Sequence, residues 1–151
     1  DGMLGGGVAI GEVTEFCGEP GVGKTQMGMQ IAVDARLPVD YGGVAGEAIY
    51  IDTEGSFAPE RCWSMAEALV AHVQSCSRKR AGNVLPSWFN AKGILDGIHV
   101  FRCHDEAAQT ATILSLSTFI KEREKLGKNI KVLIIDSIAF HFRSSEDYKS
   151  R

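Results

Sequence analysis

Gly18-Glu19-Pro20-Gly21-Val22-Gly23-Lys24-Thr25 carries the pattern G-x-x-x-x-G-K-[ST] without a break. The β-like run Val13-Thr14-Glu15-Phe16-Cys17 precedes it and predicts a first strand. A helix-like run from Thr25 to Ala35 follows it, ended by Leu37-Pro38. A strand before and a helix after are the setting in which this pattern cradles phosphates. Backbone N–H groups of such a loop wrap a polyphosphate, and the helix N-terminus adds positive potential. Gly21 and Gly23 let the chain bend where a side chain would collide with the anion. In this reading Lys24 reaches the β- and γ-phosphates and the Thr25 hydroxyl ligates Mg²⁺. A chance glycine-rich turn is the bland alternative, and the flanking elements argue against it.

A phosphate loop needs an anion on the metal side. Lys131–Asp136 reads as a fourth strand, and within it Val132-Leu133-Ile134-Ile135-Asp136 is an apolar run ending in Asp, the Walker B pattern. Asp136 is thus expected to hold Mg²⁺, directly or through water. Many buried strands end in Asp, so the pattern gains its force from the full loop upstream. Glu54, in Ile51-Asp52-Thr53-Glu54-Gly55, falls just past the carboxyl end of a second strand. Ligands of open α/β sheets sit at that edge. A carboxylate there can polarise a water for attack on phosphorus. A solvated loop carboxylate is the alternative.

The remaining elements alternate. Ala48–Asp52 reads as a second strand. Pro59 opens a helix carrying Trp63, Ala66, Leu69, Val70 and Val73 at helical spacing. Ile98–Arg102 reads as a third strand. Asp105 caps a long helix to about Lys125, with Ala111, Leu114, Phe119 and Ile120 on its buried side. The near-continuous apolar run before Asp136 suits a strand buried on both faces of a parallel sheet. This order predicts an α/β three-layer domain, mostly parallel, with right-handed crossovers. Asn83, Pro86, Asn90 and Gly93 argue against a long helix over 77–97. The polar stretch 144–151 reads as flexible, and nothing divides residues 1–151 into two domains.

With 151 residues, 44% of them hydrophobic, the chain is long enough for a core. A net charge of -3 gives no global basic field of the kind many DNA binders carry. Cys17, Cys62, Cys76 and Cys103 lie far apart, which favours reduced, mostly buried thiols in an intracellular protein. Cys103-His104 has no companion ligand cluster and does not read as a metal site. No apolar run is long enough to span a bilayer, so no membrane partner is expected. The start lacks an initiator Met, and an excised domain is the expectation.

Asp52-Thr53-Glu54-Gly55-Ser56-Phe57, with Pro59-Glu60-Arg61, is similar to a signature of the RecA-type recombinases of archaea and eukaryotes. So are Gly18–Thr25 with Gln26, and Gln30-Ile31-Ala32-Val33-Asp34. Closer agreement is with a paralogue branch of the eukaryotic strand-exchange recombinase. It rests on Leu4–Val8, Cys17–Gln26, Gly42–Ala48, Phe101-Arg102-Cys103 and Ile138–Arg143. The resemblance implies a RecA-like P-loop core that uses ATP and Mg²⁺. Glu54 would be the catalytic glutamate, with Lys24 beside it. Glu19, Pro20, Gly21, Val22, Gly23, Lys24, Thr25 and Gln26 would line the nucleotide. Arg61 would pack on the adenine, a stacking use that suits a planar guanidinium. A helix-surface salt bridge is its ordinary alternative. Ala58 departs from the recombinase proper, where a second arginine is usual.

The resemblance also implies partners: other recombinase paralogues in a hetero-oligomer, single-stranded DNA, the recombinase filament, and a nuclear location. Arg143 would stand just before a DNA-facing loop. Relatives place a further strand between the phosphate-loop strand and the Walker B strand. If nothing follows Arg151, that central strand is lacking, and two rows of backbone groups lose their partners. The expectation is then a core incomplete at its C-terminal side: a fragment, a remainder supplied separately, or splayed sheet halves. The family's N-terminal helical domain and linker are likewise not in this sequence. A DNA-dependent ATPase core acting in homologous recombination repair is the function expected. A nucleotide-gated scaffold with negligible hydrolysis is the second reading. A small-molecule kinase is third and least favoured, because Arg78-Lys79-Arg80 is the only compact basic run for an arginine lid. Lys121, Arg123, Lys125, Lys128 and Lys131 crowd a helix end, where cations are favourable without DNA.

Overall fold

The computed structural model describes residues 7–79 and 84–142. Three parallel strands form its sheet, in the order β2-β1-β3: β1 is Glu47–Asp52, β2 is Ile98–Arg102 and β3 is Ile130–Asp136. The helices are α1 (Lys24–Asp34), α2 (Pro59–Lys79), α3 (Ala91–Leu95) and α4 (Glu106–Lys125). Among the described residues no helix is long and apolar enough to cross a membrane.

β1 is the central strand, and every residue of it is buried. Its alternation sends Ala48 and Tyr50 to one face and Ile49 and Ile51 to the other. Met29, Ala32 and Val33 of α1, Cys62, Ala66 and Val73 of α2, and Ile94 of α3 cover the first face. Leu116 of α4, with Phe119 and Ile120 beside it, covers the second. The α/β expectation therefore holds, with helices on both faces of a parallel sheet. The register sets Asp52 beside Arg102 on one side and Asp136 on the other. Three charged residues thus end their strands at one level of one edge.

Several expectations need correction. Val13–Cys17 forms no strand; Val13 is fully exposed and Phe16 is 40% exposed. A strand is stable only with a neighbour to take its N–H and C=O groups. Among the described residues no strand lies between this segment and β3. β3 is consequently an edge strand rather than one buried on both faces, and Leu133 is 46% exposed. On α4 the buried stripe passes through Gln109 and Leu116, while Ala111 and Leu114 face outward. A polar residue holds an interior position here because Gln109 Nε2 donates to the Ile138 carbonyl at 3.0 Å. Trp63 of α2 is 41% exposed, and Cys62 takes the core position beside it. Within 77–97 the short helix α3 forms, its N-terminus capped by Asn90 Oδ1 accepting from Gly93 N–H at 3.0 Å. Asp105 caps α4 as expected, accepting from Ala108 N–H at 2.7 Å. Of the thiols only Cys62 and Cys103 are buried; Cys17 is exposed. Arg80 and the stretch 143–151 lie outside the described residues.

The opposite edge of the sheet is pinned by Glu47, which is 3% exposed. Its carboxylate accepts two hydrogen bonds from Arg123, at 2.8 and 2.9 Å, and lies 2.8 Å from His99 Nε2. Lys128 adds a longer pair at 3.6 Å. Two cations of the basic cluster near the end of α4 are thereby committed to the fold. Burial pushes the Glu47 carboxyl up, but the Arg123 and His99 hydrogen bonds prevail and bring it down to about 2 from its ordinary 4.5. A depressed carboxyl stabilises the fold fully above its unfolded value and ceases to do so as pH falls through its folded value. Stability is therefore expected to drop between pH 4.5 and about 2. The contribution at stake is on the order of 3 kcal/mol. Urea unfolding across that range, beside Glu47→Gln, checks it; an equal acid sensitivity in the variant would remove Glu47 as the cause.

Candidate functional site

The carboxyl edge of the sheet brings together two of the residues that the sequence singles out, Glu54 and Asp136. Asp52, 2% exposed, closes the turn after β1. Its Oδ1 accepts from Gly55 N–H at 2.7 Å and Ser56 N–H at 3.1 Å. Its Oδ2 accepts from Phe57 N–H at 3.3 Å and from Arg102 at 2.7 Å. An aspartate that receives its own following N–H groups builds a rigid turn. Gly55 belongs to the same device: its φ is +77°, and a Cβ there would collide with the Arg102 guanidinium. Thr53 is also buried. Its N–H donates to the Asp136 carbonyl at 2.9 Å, tying the turn to the end of β3.

Glu54 stands exposed on this turn, and its Oε1 accepts from Ser137 Oγ at 2.9 Å. Asp136 is next to it in the fold. Asp136 Oδ2 accepts from the Tyr50 hydroxyl at 2.7 Å, with Ser56 Oγ at 3.5 Å. Burial, and then the bond to Asp136, hold the Tyr50 phenol well above its ordinary value, so it stays protonated and donates. The Asp136–Ser137 peptide is cis.

Residues 18–23 are exposed and lead directly into α1, whose first residues Lys24 and Thr25 are half-buried. Gly21 and Gly23 have φ of +84° and +98°, and a Cβ on either would meet nothing within 4 Å. The backbone thus bends at both glycines in a conformation that favours glycine, with open space beside them. Lys24 Nζ donates to the carbonyls of Gly18 and Glu19, each at 2.8 Å, which places a cation against the loop. α1 approaches the sheet closely through Gly28: a Cβ there would lie 3.3 Å from Tyr50 Oη and 3.3 Å from Ile134 Cγ2. Thr25 lies three residues earlier, on the same helix face. Gly28, one turn into the helix, is thereby set against the Tyr50 hydroxyl that donates to Asp136. Gln26 Oε1 accepts from Arg61 of α2 at 3.0 Å, so Arg61 belongs to the same neighbourhood. The salt bridge considered for Arg61 is a hydrogen bond to an amide instead. The donors Thr25 hydroxyl and Asp136 carboxylate are hard oxygens, the chemistry that suits Mg²⁺.

Sequence reasoning missed Tyr50, Thr53, Ser137 and the Asp52–Arg102 pair. Asp-Thr-Glu-Gly carried a signal for the turn, since Asp often receives N–H groups two or three residues on. Arg102 carried none, because it comes from another strand.

A model of the Rad51 family matches residues 1–84. The chain is 41% identical to "DNA repair protein RAD51 homolog 3" of Cricetulus griseus over 150 residues, 97% of this chain and 40% of that protein. It is 36% identical to the protein of the same name in Dictyostelium discoideum, over 95% of this chain and 36% of the relative. "DNA repair and recombination protein RadA" of Methanocorpusculum labreanum is 38% identical over 95% of this chain and 41% of its own length. The chain therefore spans about two fifths of the relatives it matches. A phosphate-loop pattern, a turn that presents Glu54 beside Asp136, and a match over more than half of its residues agree: the chain belongs to the Rad51 family.

Proposed function

We propose that this chain, residues 1–151, is the nucleotide-binding part of a RecA-like P-loop ATPase core from a recombinase paralogue that acts in homologous recombination repair. The observation that carries the proposal is the convergence of Glu54, Ser137 and Asp136 at one edge of the sheet, where Tyr50, the partner of Asp136, packs against Gly28 of α1. Gly18–Thr25 would hold the ATP phosphates. Lys24 would exchange its two loop carbonyls for β- and γ-phosphate oxygens, a gain because the acceptor then carries charge as well as the donor. Thr25 and Asp136 would hold Mg²⁺, which when bound neutralises phosphate charge. Arg61, steadied by Gln26, would face the adenine. Glu54 would orient a water toward the γ-phosphorus and take its proton. Partners would be other paralogues, single-stranded DNA and the recombinase filament, with a nuclear location. The names of the relatives support repair; the site supports the chemistry.

ATP turnover with and without single-stranded DNA, measured beside Mg²⁺-ATP binding, tests this. Turnover stimulated by DNA supports the ATPase. Binding without turnover favours the nucleotide-gated scaffold. Affinity for DNA that is insensitive to salt would argue against phosphate contacts. Lys24→Ala is expected to weaken Mg²⁺-ATP binding by roughly 10–100-fold, the value of one or two charged hydrogen bonds. Equilibrium titration with a fluorescent ATP analogue reads it, and unchanged affinity would remove the loop from the site.

A further inference from the structure

Ser137 follows the last residue of β3 and is bonded at three points to the turn after β1. Its N–H donates to Thr53 Oγ1 at 2.8 Å, and Thr53 Oγ1 donates to the Ser137 carbonyl at 2.9 Å. Its hydroxyl donates to Glu54 Oε1 at 2.9 Å. The first two bonds lock backbone to a buried side chain. The third is different in kind, because Glu54 is exposed on a flexible side chain. A glutamate in water samples many rotamers, and fixing it costs entropy. A hydroxyl held by a rigid frame selects one of those rotamers in advance. The frame is the end of the strand that carries Asp136, so the aim of Glu54 follows the position of the metal-side carboxylate.

We infer that Ser137 is a positioning residue: its hydroxyl aims the Glu54 carboxylate at the attacking water and ties that aim to the end of β3. The inference rests on the ATPase reading above. Ser137→Ala keeps the backbone bonds to Thr53 and removes only the hydroxyl, so its thermal midpoint stays close to that of the parent. Turnover and Mg²⁺-ATP binding are measured in the full chain as the cell makes it. Ser137→Ala is expected to lower kcat roughly tenfold while Kd for Mg²⁺-ATP stays within about twofold. Ser137→Thr keeps a hydroxyl and restores kcat. In a Glu54→Gln background, Ser137→Ala lowers turnover no further, because the two act through one group.

An unchanged kcat in Ser137→Ala, beside an inactive Glu54→Gln, overturns this inference and leaves the ATPase reading intact. So does an additive loss in the double variant. Full turnover in Glu54→Gln, or ATP binding with no turnover in the parent, overturns the inference together with the reading beneath it.

Discussion

Glu54→Gln is expected to lower kcat by roughly 10²–10⁴-fold while Mg²⁺-ATP binding stays near the parent value. The side chains have the same shape, and the amide oxygen can still accept from Ser137. The turn itself is held by Asp52 and Thr53, neither of which the substitution touches. What disappears is the basic oxygen that takes a proton from water. Such a change acts on the transition state and leaves ground-state binding alone, so kcat falls and Kd does not. Single-turnover hydrolysis beside equilibrium binding measures both. A kcat close to the parent value would refute Glu54 as the water-activating base. A lost affinity would show instead that Glu54 shapes the nucleotide site.

The largest effect on stability is expected from Asp52→Ala, about 3–5 kcal/mol. One buried carboxylate accepts from Gly55, Ser56, Phe57 and Arg102. Without it three backbone N–H groups lose their acceptor at once, and the turn has no other centre. Arg102 is 45% exposed and can return to water, which places the cost nearer the lower end. Arg102→Ala is accordingly milder, about 1 kcal/mol, because Asp52 keeps its three N–H donors. Hydrolysis should vanish with Asp52→Ala even where the chain stays folded, since Glu54 would lose its platform. Urea unfolding of both variants decides the matter. Equal losses would mean that the ion pair, not the turn, carries the energy.

Much of the candidate site is written in short contiguous patterns. The loop 18–25 depends on glycines whose positive φ is a local property. Asp105 capping α4 and Pro59 opening α2 are local as well. The phase of α4 was not legible. Its stripe turns on Gln109, a residue that composition assigns to the surface and that the Ile138 carbonyl retains inside. Val13–Cys17 has strand-like residues but no strand, since pairing is decided by a neighbour and not by the segment. The same reason makes β3 an edge, although its residues read as those of a buried strand.

Covalent order alone thus settles which residues are available: the phosphate-binding pattern, Glu54 after one strand, Asp136 at the end of another. Their adjacency is a matter of register. Parallel pairing brings Asp52, Arg102 and Asp136 to one level, although they are far apart along the chain. From that register follow the bond of Tyr50 to Asp136, the clasp between Thr53 and Ser137, and the hydroxyl beside Glu54. None of these can be read from a pattern, because each joins residues more than eighty positions apart. Packing against a shared sheet is what makes them neighbours.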